Sequence, residues 1–422
     1  MAELKKEKSY FSLTGNVKVS DYTFKIDELS QKTGYKYSNL NIGVKTSDTN
    51  IIYAGAMGGF FTNKDNPIKV FSGTDSKNKW EIDWQDRNDE KMHKDVSNLK
   101  FVTIELEPDK SILADNETFK LTDDGVYVVV AKQEILNEDG TSEVEDVLVE
   151  KQVKMIKKRF LSWYDAIAYT KTHLKDNMLI HVGGQLKYGF YKGNTQIKKD
   201  ITSIYLARFN DKGELPAKKA TFTQTLLLDR DSVKELDKES RQYIIDARVI
   251  DYCKELNEVE IKKMIPYNVN FYINESTEKM SNELIKKFLT KFFKVRKDVN
   301  ELTVEGDIIE GAPVGKIDEK DIPDDMQELI DLGLYSKEEI MKKLVVKGDR
   351  VLKLVITKPY IEVKNNDDGT STSKPLFFEG KYSEDALVLD VPKKVELKKE
   401  NSDEDNNTTS ENDSDDWLNN LD

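Results

Sequence analysis

Cysteine is almost missing. The chain has one, Cys253, so no intramolecular disulfide can form and a reducing compartment is expected. One thiol and no CxxC pair leave no thiolate zinc site. The three histidines, His93, His173 and His181, are isolated and have no partner four residues away, so the helical His-pair metal motif is absent. No apolar run approaches the roughly 18 residues needed to span a bilayer. The opening MAELKKEKSYF has no apolar stretch of the signal-peptide kind, so a cytoplasmic protein with no membrane partner is expected. There is no Walker-type phosphate loop. Gly55, Gly58 and Gly59 lack the strand–turn–helix setting of a dinucleotide site and read as close backbone approach or a bulge. Asp83, Asp86, Asp89 and Glu90 lie in a polar stretch among cations, which reads as a solvated loop rather than a magnesium site. No catalytic residue, metal or cofactor is expected, and so no enzyme.

What is present in excess is acid at the far end. Residues 401–422 read NSDEDNNTTSENDSDDWLNNLD, with eight carboxylates and no Lys or Arg. Such a stretch buries too little apolar surface to offset its ordering entropy, so residues 397–422 are expected to be a disordered acidic tail. The formal net charge is −13, but setting those eight acids aside leaves 70 acidic against 65 basic residues. The body is therefore nearly balanced and has room for a basic surface that the overall pI hides. The tail ends on apolar residues, Trp417, Leu418 and Leu421, next to Asp413, Asp415 and Asp416. An acidic string with an apolar tip is suited to docking partner proteins.

The body reads mainly as strands. Ser9–Ser20, Tyr35–Thr46 and Ile51–Phe61 alternate in polarity between polar turns. Ser162 is placed to cap a helix over Trp163–Leu174, and two strands joined by a KGN turn follow, Met178–Tyr191 and Ile197–Phe209. Three strands, a helix and two strands is the element order of an OB-fold, a five-stranded Greek-key barrel. The order recurs: strands at Thr221–Arg230, Arg241–Cys253 and Met264–Ile273, a helix at Asn282–Val295, then strands at Glu301–Gly311 and Asp349–Val363. The expected class is mainly β with a few helices, as two tandem OB-like barrels. The first would occupy residues 1–210 with a large insertion over about 62–158, the second residues 216–396 with a helical insertion over about 316–345.

Residues 176–208 carry a likeness of layout and local pattern. They hold Leu179–Ile180–His181–Val182, then Gly183–Gly184–Gln185–Leu186, the aromatics Tyr188, Phe190 and Tyr191, and after a turn Lys198, Lys199 and Ile201. With the acidic, apolar-tipped tail, this stretch resembles phage-type single-stranded DNA-binding proteins with OB-fold domains. The likeness covers Tyr10–Phe209 well and Thr221–Val363 loosely. It implies binding and protection of single-stranded DNA in replication, recombination and repair, inside a bacterial host if the chain is phage-encoded. The chain departs from that pattern in its last residues, where bacterial tails end Pro-Phe, and in having no ligand set for the zinc ion of some phage relatives.

Binding a single strand without sequence preference takes cations along the phosphates and flat side chains on which bases stack. Candidates are Tyr35 and Tyr37 with Lys36 between them, Phe60, and the tryptophans Trp80 and Trp84. A second group is Lys187, Tyr188, Phe190, Tyr191, Lys192, Lys198 and Lys199. Each has a plainer reading. Two tryptophans four apart also fit a hydrophobic staple for the insertion. Alternation puts Tyr188 and Phe190 on one side of their strand, so at least one aromatic there belongs to a core. The basic runs 151–159 and 286–297 fit solvated faces as well as a groove wall, the phenylalanines of the second fitting a helix core. The expected function is non-enzymatic, sequence-independent binding of single-stranded DNA, with a tail that recruits replication or recombination proteins and modulates access. The competing reading is a β-rich structural or scaffolding protein, for instance of a virion.

Overall fold

The computed structural model describes residues 3–72, 78–136, 142–191, 193–210, 212–256, 259–278, 280–311, 322–337, 340, 351–365 and 370–389. The expected tail therefore lies outside the described residues, as do Lys192 and residues 316–321, 338–339 and 341–345 of the 316–345 segment.

The first half opens with β1 (Ser9–Lys18), β2 (Phe24–Leu29), β3 (Tyr35–Lys45) and β4 (Ile51–Phe61). The insertion follows: a hairpin of β5 (Ile68–Ser72) and β6 (Asn78–Ile82), then β7 (Val102–Pro108). A separate three-stranded sheet comes next, from β8 (Glu117–Leu121), β9 (Tyr127–Leu136) and β10 (Ser142–Val149). Strand β11 (Met155–Phe160) returns to pair with β7. Helix α1 (Trp163–His173) precedes β12 (Leu179–Tyr191) and β13 (Asn194–Leu206). Ser162 caps α1 as expected, its hydroxyl accepting the Tyr164 N–H at 3.1 Å.

Five of these strands close on themselves. β1 pairs with β3, β3 with β4, β12 with β13 and β12 with β1, all antiparallel. The ring is completed by a parallel contact of β13 with β4, where Asp200 sits beside Gly55. Inward alternation fills the barrel with Leu13, Leu40, Ile42, Ile52, Ile180 and Val182, all fully or almost fully buried. Helix α1 adds Ala166 and Ile167 to the same core. Its first turn lies so close to β4 that a Cβ on Gly58 would be 2.4 Å from the Tyr164 nitrogen. That contact accounts for one of the glycines of AGAMGG.

The circuit is repeated in β14 (Lys219–Leu228), β16 (Gln242–Leu256), β17 (Val259–Asn274), β18 (Val299–Gly311) and β19 (Val351–Pro359). Again the closing contact is parallel, with Phe271 of β17 beside Leu354 of β19. Strand β15 (Val233–Asp237) flanks β16. Helix α2 (Asn282–Phe292) buries Ile285, Phe288, Leu289 and Phe292, so those phenylalanines are core. The last elements are α3 (Asp324–Asp331), the hairpin β20 (Ile361–Asn365) with β21 (Ser371–Pro375), and β22 (Phe377–Tyr382) on the free edge of β18.

The two barrels share one continuous sheet, because β1 and β14 pair antiparallel over Ser9–Thr14 and Lys219–Gln224. At the middle of this ladder Phe11 faces Phe222. Each ring lies over a bare glycine on the next strand, at a β-bulge in both cases. A Cβ on Gly184 would be 2.5 Å from the Phe11 ring and 2.1 Å from the Asp200 carbonyl oxygen. A Cβ on Gly306 would be 2.6 Å from the Phe222 ring and 2.1 Å from the Val355 carbonyl oxygen. The barrels are thus related by a local two-fold axis between the two phenylalanines.

Buried polar contacts seal the junction. Lys6 reaches Asp251 at 2.8 Å, and the other oxygen of Asp251 accepts the Tyr188 N–H at 2.9 Å. Asn50, in the β3–β4 turn, hydrogen-bonds the backbone of β18 twice, to the Ile308 carbonyl and from the Glu310 N–H. Glu301 is buried in β18, where Lys381 meets one carboxylate oxygen at 2.7 Å. Its other oxygen is buried with no hydrogen-bond partner among the described residues.

Two expectations follow for stability. Gly184→Ala and Gly306→Ala should each cost about 1–3 kcal/mol or more by overpacking, measured by chemical denaturation. Gly189→Ala, with nothing within 4 Å of its Cβ position, should be close to neutral. Burial pushes the Glu301 carboxyl above its ordinary value, against the pull of Lys381. The folded state then binds that proton more readily than the unfolded chain, so the cost of burying Glu301 is relieved as pH falls through the raised value. Between about pH 7 and about pH 4.5 the parent should gain stability relative to Glu301→Gln; a relative loss would contradict this assignment.

Candidate functional site

The β3–β4 hairpin has two faces, and strand alternation decides what each presents. Leu40, Ile42, Ile52 and Ala54 point into the barrel. Tyr35, Tyr37, Asn39 and Asn41 take the outward phase on β3, opposite Phe61, Gly59, Met57 and Gly55 on β4. The rings of Tyr35 and Tyr37 are stacked at 6.1 Å with 12° between their planes. Phe61 leans on Tyr35 at 4.9 Å, and the Lys64 ammonium sits 3.6 Å from the centre of the Phe61 ring. Gly59 faces Tyr37 because a Cβ there would be 2.8 Å from the tyrosine Cα. Tyr37 is 8 % exposed, whereas Tyr35 and Phe61 are half-buried and each keep part of a ring open. Burial raises the Tyr35 phenol above its ordinary value, so the ring is neutral at physiological pH. Side by side, this face has flat neutral rings, two carboxamides and a cation. Groups of these kinds can stack on flat bases, hydrogen-bond to them and neutralise a polyanion.

The opposite side of the same strand ends is structural. Phe60 lies 4.9 Å from Trp84, and both touch Tyr164. Arg87 covers Trp84 at 4.2 Å and forks onto Asp165 of α1 at 2.7 and 3.0 Å. The Tyr164 phenol donates to Asp27, and the Lys36 ammonium lies 3.5 Å from the same carboxylate. The Tyr164 phenol, ahead of Asp27, holds Lys36 above its ordinary value. Phe60 and Trp84 therefore fasten the insertion to α1, which is the staple reading of the tryptophans, while Lys36 is held between Asp27 and Tyr164. Trp80 packs on a small core of the insertion built from Val70, Ile82, Val96, Phe101 and Leu161.

The β12–β13 hairpin divides in the same way. Lys187, Tyr191 and Lys198 are exposed on its outer side, with Lys187 at 3.8 Å from Asp200. Tyr188 and Phe190 turn instead into the barrel junction, 6.3 and 4.8 Å from Tyr267 of β17. Tyr188 is 5 % exposed and donates its hydroxyl to Gln224 at 2.9 Å. It offers no face to a ligand. Lys199 is equally enclosed, paired with Glu310 of β18 at 3.0 Å. As candidate contacts, Tyr188 and Lys199 are corrected to junction residues. Their phase explains it: Leu186 and Tyr188, and Ile197, Lys199 and Ile201, share the inward side of their strands. Lys192, Asp413, Asp415, Asp416, Trp417, Leu418 and Leu421 lie outside the described residues.

Sequence reasoning missed Phe61, Met57, Asn39, Asn41 and Lys64. The signal was available, since Tyr35, Tyr37, Asn39 and Asn41 share one phase and a tight turn at Ser47–Asn50 sets Tyr35 opposite Phe61. The second barrel has a corresponding outer face on β16 and β17, carrying Arg248, Tyr252, Asn268, Asn270 and Tyr272, with Lys353 at 4.9 Å from the Tyr272 ring.

A family model described as YorF matches residues 149–348. No curated protein matches the chain. Among solved structures, a deletion mutant of the single-stranded DNA-binding protein from Thermus aquaticus aligns at 11 % identity and a TM-score of 0.21, over 50 % of this chain and 85 % of that one. A Replication Protein A heterotrimer bound to single-stranded DNA aligns at 7 % identity and a TM-score of 0.14, over 89 % and 95 %.

Breaking a buried pair leaves an uncompensated charge, at a cost of about 3–5 kcal/mol. Lys199→Met should therefore destabilise the fold by about that amount, and adding Glu310→Gln should recover most of it. Equal losses in the single and double variants, read by denaturant midpoint, would remove Lys199 from the junction.

Proposed function

We propose that this chain binds single-stranded DNA without sequence preference, through the outer face of the β3–β4 hairpin. The observation that carries this reading is the Tyr35–Tyr37–Phe61 aromatic group with Lys64 against it, on the outside of an OB-like barrel. Exposed Lys187 and Lys198 add charge on the next hairpin. Function on this reading is occupancy rather than turnover: the protein covers and protects single strands during replication, recombination or repair. The acidic tail, residues 397–422, recruits partner proteins and modulates access to DNA.

Stacking is worth about 1–3 kcal/mol per base, and about 1.4 kcal/mol is a tenfold change in affinity. Tyr35→Ala with Phe61→Ala should weaken binding of labelled oligo-dT by about tenfold or more in fluorescence anisotropy. Phe60→Leu should leave affinity within about twofold, because that ring faces α1 rather than the outer surface. Affinity should fall as salt rises, by about 0.7 log units per log unit of salt for each phosphate neutralised. Truncation after Glu400 should tighten binding. No oligo-dT binding by the full chain at low salt would refute the reading.

A further inference from the structure

Helices α1 and α2 occupy equivalent places in the two barrels, between the third and fourth strands of each circuit. Their outward sides are treated differently. On α1 the insertion covers that side: Arg87 binds Asp165, and Glu107 accepts from Tyr169 at 3.0 Å and lies 3.9 Å from His173. On α2 and just after it, Lys286, Lys287, Lys291, Lys294, Arg296 and Lys297 are all exposed, with Glu283 the one acid on the helix. Among the described residues, no ion pair engages Lys286, Lys287, Lys291 or Lys294. A shallow concavity of about 450 Å³ lies over Glu283, Lys286, Lys287, Thr290 and Lys291. Leu284, 47 % exposed, adds an apolar spot to this basic surface.

The chain itself carries the complement. Residues 401–422 hold eight carboxylates, no cation, and the apolar Trp417, Leu418 and Leu421. The described chain ends at Leu389, twelve residues after Phe377, whose ring packs on Phe292 of α2 at 5.8 Å. The segment between Leu389 and Asp403 can span roughly 45 Å when extended, whereas α2 is only about 17 Å long. Reach is therefore no obstacle, and the tail's local concentration at this helix is that of a tethered ligand.

We infer that the acidic tail docks on the basic outward side of α2, with its carboxylates against Lys286, Lys287, Lys291 and Lys294. This contact lies on the second barrel, apart from the aromatic face of the first, and the experiment that tests it is read without nucleic acid.

Zero-length carbodiimide cross-linking of the full chain, read by mass spectrometry without nucleic acid, tests it. The expected result is intramolecular links from those α2 lysines to Asp403–Asp416, lost at about 1 M salt, where the Debye length is about 3 Å. The link to Lys294, whose amine is retained, should also be lost in K286E/K287E/K291E, whose circular dichroism should match the parent. Asn replacing Asp413, Asp415 and Asp416 should weaken them without touching the helix. Tail links that map instead to Lys25, Lys64, Lys187 or Lys198, or none beyond links between chains in an isotope-mixed sample, would overturn the inference.

Discussion

The antiparallel ladder between β1 and β14 is the contact on which the rest of the molecule depends. It makes one sheet of two barrels, and Phe11 and Phe222 mark its centre. Each ring needs a neighbour with no side chain, which Gly184 and Gly306 supply. The bulges at those glycines then set how β12 and β13, and β18 and β19, curve to close their rings. Around this axis the polar contacts are reciprocal in kind. The β3–β4 turn of the first barrel docks on β18, and β12 of the first barrel meets β16 through Asp251.

This junction decides which side chains are available to a ligand. It takes Tyr188 and Lys199 out of solvent, half-buries Phe190, and leaves Lys187, Tyr191 and Lys198 outside. The insertion does the same at the other end of the first barrel, using Phe60 and Trp84 as fasteners beside the Lys36–Asp27 pair. What remains open is the outer face of β3 and β4, where Tyr35, Tyr37 and Phe61 gather. The aromatic face is thus defined as much by what the packing consumes as by its own residues.

Much of the architecture was legible in the sequence. The alternating runs, the Ser162 cap and the recurrence of three strands, a helix and two strands all reappear as paired elements. Strand β2 and the two-fold relation of the barrels were not legible. The two-fold relation is set by pairings across about half of the chain, such as Ser9 with Gln224, which no local pattern reports. Strand β2 pairs with its neighbour β3 but is mostly exposed, so no apolar alternation marks it. The site was half legible for a related reason. Period-2 alternation sorts residues into two phases but does not say which phase meets another barrel. Phe60 and Phe61 differ by one position, and only the register with Lys36 and Tyr35 tells the fastener from the exposed ring.

The place of β1 in the chain has a consequence in time. It precedes the other strands of both barrels, yet only its last three residues pair with nearby β3, and its longer ladders are with β12 and β14, which begin at Leu179 and Lys219. Until those segments exist, Phe11 and Leu13 have no core to enter, and both strand edges lack most of their ladder. Pairings this distant in sequence close slowly because the loop entropy comes first. The strand that joins the barrels is therefore one whose ladders are completed only when about half of the chain is available to pair with it.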